Sequence, residues 1–141
     1  MVGQRNNEVQ IANLALDRIR AIGAAPPETV YQPAPNGLTP AVFYRDAIGV
    51  TVSPTLRPRK VQILVSPEHA PYVETKPLHP SQTLTEQRDD GCVFELSVQL
   101  NFELERDILG FGEGMTVLAP AWLRRRIQAR LAKAAEQYDR L

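Results

Sequence analysis

Two runs of alternating residues, QTLTEQR and CVFELSVQL, meet at Asp90-Gly91, and this junction constrains the fold more than any other stretch. Asp-Gly is a preferred two-residue hairpin turn. Beyond it Phe94, Leu96, Val98 and Leu100 alternate with Glu95, Ser97 and Gln99. A period of two places one set on a buried face and the other on a wet one. A helix cannot use that pattern, so an antiparallel sheet must sit at the centre of this part of the chain.

The neighbouring segments extend the sheet. VQILVS after Lys60 reads as a strand rich in β-branched residues. SPEHAPYVETK reads as a helix capped by Ser66, with Pro67 in its first turn and Pro77 as its stop. Asn101 caps a second helix, NFELERDIL, ended by Gly110, on which Glu103, Glu105 and Asp107 are expected to be solvated. MTVL is a further strand. Pro120 then opens a long helix in which Leu123, Ile127, Leu131, Ala134 and Tyr138 form an apolar stripe. From Lys60 the order is β-α-β-β-α-β followed by an extra helix. The expected class is α+β, a ferredoxin-like sandwich with helices on one face of an antiparallel sheet.

Upstream the pattern changes. Seven of the twelve prolines fall between Pro26 and Pro58, which marks residues 23–59 as a Pro-rich linker. Within it TPAVFYRDAIG reads as a short helix, with Thr39 as cap, Pro40 first and Gly49 at a left-handed exit. Phe43, Ala47 and Ile48 would pin it to a domain surface. Residues 1–22 open on a hairpin: Val2 to Arg5 can pair with Glu8 to Ile11 across Asn6-Asn7, with the second strand continuing to about Leu16. A lone hairpin is marginal in water, so the remaining strands of that sheet are expected upstream of Met1. Residues 60–141 form the sandwich domain.

Composition narrows the chemistry. Sixteen basic and sixteen acidic side chains balance, which argues against binding nucleic acid by bulk charge. The one cysteine, Cys92, rules out an internal disulfide framework and a cysteine zinc cage. Neither a bilayer-spanning apolar run of roughly 18 residues nor a signal-peptide core is evident, so a cytoplasmic protein without membrane contact is expected. His69 and His79 lack the spacing of a helical metal pair, and no metal or cofactor is expected. GFGEG, residues 110–114, lacks the Gly-Lys-Ser/Thr ending of a phosphate loop and leads into a strand, so its glycines serve a reversal.

Three places hold candidate binding residues. His79, Ser81 and Gln82, in TKPLHPSQTL, are either a polar pocket at a strand edge or turn residues satisfying loose backbone groups between Pro77 and Pro80. Arg18, in ALDRIRAI, is either exposed or aims its guanidinium into a pocket to fork an anion. Arg124, Arg125, Arg126, Arg130 and Lys133 make the last helix basic, either as a solvated face or as a surface for an acidic partner. No nucleophile–base constellation appears, and the expectation is a protein that is not an enzyme.

Taken together, ALDRI, the linker helix ending AIGV, PLHPSQ, and NFELERDILGFGEGMTVLAP with its following LRRRI resemble the C-terminal part of WYL-domain transcriptional regulators. The resemblance covers nearly the whole chain. It implies that residues 1–22 are the end of a WYL-type β-barrel and that the sandwich is the family's C-terminal extension. The Trp-Tyr-Leu signature would fall just before Val2 and is absent, as is the family's DNA-binding domain. By resemblance Arg18 matches the family's Leu-Asp-Arg-Ile ending, and His79, Ser81 and Gln82 fall near a domain junction. The implied function is a ligand-sensing and dimerisation fragment of a bacterial regulator. A nucleotide or single-stranded nucleic acid would be its effector, a homodimer its assembly, and DNA would be reached through a domain outside this chain. The alternatives are a purely structural oligomerisation module and, less favoured, a small enzyme on the same sandwich.

Overall fold

The computed structural model describes residues 2–5, 8–11, 16–31 and 33–140. The chain divides into two compact units, Met1–Phe43 and Tyr44–Leu141.

In the first unit β1 (Val2–Arg5) pairs antiparallel with β2 (Glu8–Ile11), Val2 opposite Ile11 and Arg5 opposite Glu8. The expected Asn6-Asn7 turn lies outside the described residues. The second strand does not reach Leu16, because Leu16–Arg18 form a 3-10 turn. The linker helix is also shorter than its sequence pattern: α1 spans only Pro40–Phe43. Its start is as expected, with the Val42 N–H donating to Thr39 Oγ1 at 3.2 Å.

The second unit is α+β. Its strands are β3 (Arg59–Val65), β4 (Thr83–Arg88), β5 (Gly91–Val98) and β6 (Met115–Ala119). They form one sheet in the order β4-β5-β3-β6, with every neighbouring pair antiparallel. The helices are α2 (Ala70–Thr75), α3 (Phe102–Gly110) and α4 (Ala121–Tyr138). No helix among the described residues is long and apolar enough to cross a membrane.

Register explains the core. Val61 opposes Leu96 and Ile63 opposes Phe94, so the inward residues of β3 and β5 lie side by side. These four join Val117, Met115, Val73, Leu104, Ile108, Leu123 and Ile127 in one buried cluster, which draws α2, α3 and α4 onto the same face. Burying a Leu, Ile or Phe side chain contributes roughly 1.5–3 kcal/mol, so this cluster dominates the unit's stability. The opposite face is polar: Glu95 takes Lys60 Nζ at 2.8 Å and Gln62 Nε2 at 3.2 Å.

Four local expectations need correction. The hairpin turn is Asp89-Asp90, not Asp90-Gly91, because Arg88 already pairs with Gly91. Gly91 is the first residue of β5, at φ 145°, where a Cβ would strike the carbonyl of Val65. The helix after β3 begins at Ala70, not Pro67; the carbonyl of Ser66 accepts the His69 and Ala70 N–H groups, and Ser66 Oγ lies 2.9 Å from His69 Nδ1. Gln99 is buried although alternation assigns it to the wet face. Glu103 and Glu105 are buried as well, 7% and 5% exposed.

The stripe on α4 divides in two. Leu123 and Ile127 are buried, whereas Leu131 is 38% and Tyr138 78% exposed. Glu105 explains part of the helix's basic face: it takes Arg126 Nε at 3.0 Å and Arg130 Nη1 at 2.8 Å, tying α3 to α4. The GFGEG glycines make the expected reversal. Gly112 has φ 54°, and Gly114 packs so closely on His69 that a Cβ would lie 2.7 Å from Nδ1.

Candidate functional site

A densely bonded polar region among the described residues is a strap, residues 45–56, that carries the chain into β3. It contains no regular helix or strand. Its backbone must therefore find partners elsewhere, since a buried unpaired N–H or C=O costs roughly 1–3 kcal/mol. The partners are side chains placed at every second residue where β5 gives way to α3.

Gln99 comes first. Its Nε2 donates to the carbonyls of Ser53 at 3.1 Å and Leu56 at 2.9 Å, and its Oε1 accepts the Ser53 N–H at 3.0 Å. Its own N–H donates to the Asp46 carbonyl at 2.6 Å. Asn101 is the expected cap of α3, with Oδ1 accepting the Leu104 N–H at 3.0 Å. The same amide donates both its Nδ2 hydrogens to the strap, to Ile48 O at 2.8 Å and Thr51 O at 2.9 Å. One side chain thus fixes both the helix start and the strap. Each amide can satisfy these partners in only one orientation, because carbonyls accept and N–H groups donate.

Glu103 completes the clamp. Its Oε1 accepts the Thr51 hydroxyl at 2.6 Å and the Thr51 N–H at 3.1 Å. Burial pushes its carboxyl pKa up, but the Thr51 hydroxyl and the N–H groups of Glu103, Val50 and Thr51 outweigh this and hold it below the usual value of 4.5. Oε2 is buried with no hydrogen-bond partner among the described residues. Gly49 passes directly over this side chain: at φ 74°, a Cβ there would lie 2.6 Å from Glu103 Cγ. The strap can approach the carboxylate because this residue has no side chain. Ile48 adds an apolar anchor in the main core.

His79 holds the strap's first residue. Its Nε2 lies 2.8 Å from the Arg45 carbonyl, which can only accept, so Nε2 carries the hydrogen. Nδ1 then accepts the Ser81 N–H at 3.1 Å and faces Ser81 Oγ at 2.8 Å. Ser81 Oγ in turn accepts the Ser97 N–H at 2.9 Å, extending the contact to β5. Gln82 Oε1 accepts the Leu78 N–H at 3.0 Å, and Nε2 donates to the Val73 carbonyl at 2.8 Å. His79, Ser81 and Gln82 are thus neighbours that face backbone groups of the second unit. Arg18 belongs to the first unit, where it is exposed at the end of its 3-10 turn and has no ion pair among the described residues.

Sequence reasoning found Asn101 as a cap and Gly49 as a left-handed residue but missed both as parts of the clamp, and it placed Gln99 and Glu103 in solvent. The available signal was the spacing Gln99, Asn101, Glu103, three polar side chains at alternate positions directly after an apolar strand. Two of the concavities among the described residues lie elsewhere. One, of about 450 Å³, is lined by Tyr72, Leu78, Arg106, Asp107, Gly110 and Phe111. The other, about 840 Å³, runs between β6 and α4. The described residues contain no group of three or more metal-ligating side chains.

Comparison with known proteins gives one family: the model of the WCX domain matches residues 57–135, more than half the chain. No curated protein matches it.

Proposed function

The chain belongs to the WCX-domain family, and from that premise we propose that it is a regulatory module from the C-terminal part of a WYL-type transcriptional regulator. The clamp on the strap is the observation that carries this reading. The strap is the covalent route from the first unit to the sheet; Gln99, Asn101, Glu103 and His79 grip its backbone, and Gly49 and the Thr51 hydroxyl fit it to Glu103. A pull on the first unit is then felt at α3 and β5 instead of being lost in a slack linker. The sheet order β4-β5-β3-β6, with its helices gathered by one core, supports describing the platform as a ferredoxin-like sandwich.

In this reading residues 1–22 are the end of a WYL-type barrel, 23–59 the connection and 60–141 the extension. The effector is a nucleotide or a short single-stranded nucleic acid, and the guanidinium of Arg18 forks one of its phosphates. His79, Ser81 and Gln82 position the entry of the strap instead of touching the ligand. Effector binding biases a two-state homodimer, which repositions DNA-binding domains outside this chain. To act as a switch, the ligand must prefer one arrangement by several kcal/mol. No bond-breaking step is assigned: His79 has both ring nitrogens engaged, with a backbone carbonyl and with Ser81.

A second reading, an oligomerisation module with no ligand of its own, is favoured by the inward bonding of His79, Ser81 and Gln82. Thermal melting with a panel of nucleotides and short oligonucleotides separates the two. The sensing reading expects at least one panel member to raise the melting temperature, and Arg18→Ala to abolish the rise without lowering the melting temperature of the free protein. If nothing in the panel shifts the protein while it remains a dimer, the module is structural.

A further inference from the structure

One side of the first half of α4 is explained by contacts within the chain. Leu123 and Ile127 are in the core, and Arg126 and Arg130 hold Glu105. Its second half is not. Leu131 and Tyr138 are exposed, and Leu131 borders an apolar groove of about 840 Å³ lined also by Met115 and Val117 of β6 and by Arg124, Ile127 and Gln128 of α4. At about 100° per residue, Arg124, Gln128, Leu131, Ala135, Tyr138 and Asp139 share the side of the helix that borders this groove.

The charges on that side are segregated. Arg124 lies at its start and Asp139 at its end, and neither makes an ion pair among the described residues. Glu136 already faces Arg140 at 4.0 Å, which leaves Asp139 as the uncompensated acid of the last turn. We propose that this face is a homotypic docking surface. A second copy of the chain lies antiparallel across it, α4 against α4, with Arg124 of each copy facing Asp139 of the other.

Three observations select a second copy as the occupant. A helix side that is basic at one end and acidic at the other complements itself only when reversed, since parallel pairing would set arginine against arginine. Centring the twofold axis between Leu131 and Ala132 places Arg124 opposite Asp139, Gln128 opposite Ala135 and Leu131 opposite Ala132, so small residues face large ones and the helices can approach closely. The two charge pairs then close the ends of a seam about 22 Å long. A net charge of zero removes the long-range repulsion that would oppose two copies meeting. This surface deepens the homodimer reading above by naming where the copies meet, and it requires no effector.

Sedimentation equilibrium of the chain over a range of concentrations tests it. The wild type is expected to dimerise. Arg124→Asp or Asp139→Arg alone should each weaken association about tenfold or more, because each places like charges together twice. The double reversal R124D/D139R should restore it. An equimolar mixture of the two single variants should associate more tightly than either alone, since both opposite-charge pairs re-form in the heterodimer. Both positions are exposed, so melting temperatures should stay near the wild-type value and exclude misfolding. A wild type that stays monomeric throughout would overturn the proposal. So would a dimer whose strength none of the reversals changes, although that second result would leave the homodimer reading intact and move its contact elsewhere.

Discussion

The strap and strand β4 form an instructive pair. β4 is a six-residue ladder strand, hydrogen-bonded to β5 with one register shift between Leu84 and Glu86, and exposed at every position. The strap has no regular structure, yet Ala47 and Ile48 are buried and its backbone is gripped by four side chains. Regularity and attachment are therefore separate properties. A ladder strand on a sheet's edge keeps its place through backbone bonds that tolerate almost any side chain. An irregular segment keeps its place only through particular side chains, so its stability is concentrated in a few residues.

Substitutions should expose that asymmetry. Asn101→Ala is expected to have the largest effect, about 3 kcal/mol in chemical denaturation. It removes a helix cap worth about 1 kcal/mol and leaves the Ile48 and Thr51 carbonyls without their donors. A loss below about 1 kcal/mol would mean that the strap is dispensable to the fold.

Glu103→Gln should cost less, about 1–2 kcal/mol at neutral pH, because the amide oxygen can still accept from Thr51 but without a charge. It should also change the acid limb of stability. The folded-state pKa of Glu103 lies below its unfolded value, so its contribution is fully present above the unfolded pKa and is lost as pH falls through the folded one. Wild-type stability should fall below about pH 4.5 more steeply than that of the variant. Parallel acid limbs would separate Glu103 from the clamp. The smallest effect belongs to β4: Arg88→Ala breaks an exposed pair with Glu86 and should leave the denaturation midpoint close to that of the wild type. If it cost as much as Asn101→Ala, the contrast between the two regions would collapse.

The same contrast explains what could be read from the sequence. The sheet, the three helices of the second unit and the Asn101 cap were legible because apolar periodicity and capping are local signals. The hairpin turn was misplaced by one residue: Gly91 looks like a turn glycine, but it is needed because the Val65 carbonyl lies where its Cβ would be. Gln99, Glu103 and Glu105 looked solvated because polarity is a local property and burial is not. Gln99 and Glu103 are covered by a segment about 50 residues earlier, and Glu105 is paired by arginines 21 and 25 residues later. Partners at such separations leave no periodic trace. The stripe on α4 was read as one face, and periodicity could not reveal that the core ends near Ile127.

Site-resolved amide hydrogen exchange at Thr51 and Ser53 tests the central claim most directly, because both N–H groups donate to clamp side chains, Glu103 and Gln99. The account predicts that they exchange nearly as slowly as the amides of β3, opening only with the whole second unit. Exchange as fast as that of the exposed Glu28, Val30 and Tyr31 would contradict it, and the strap would then be a loose tether with nothing to transmit.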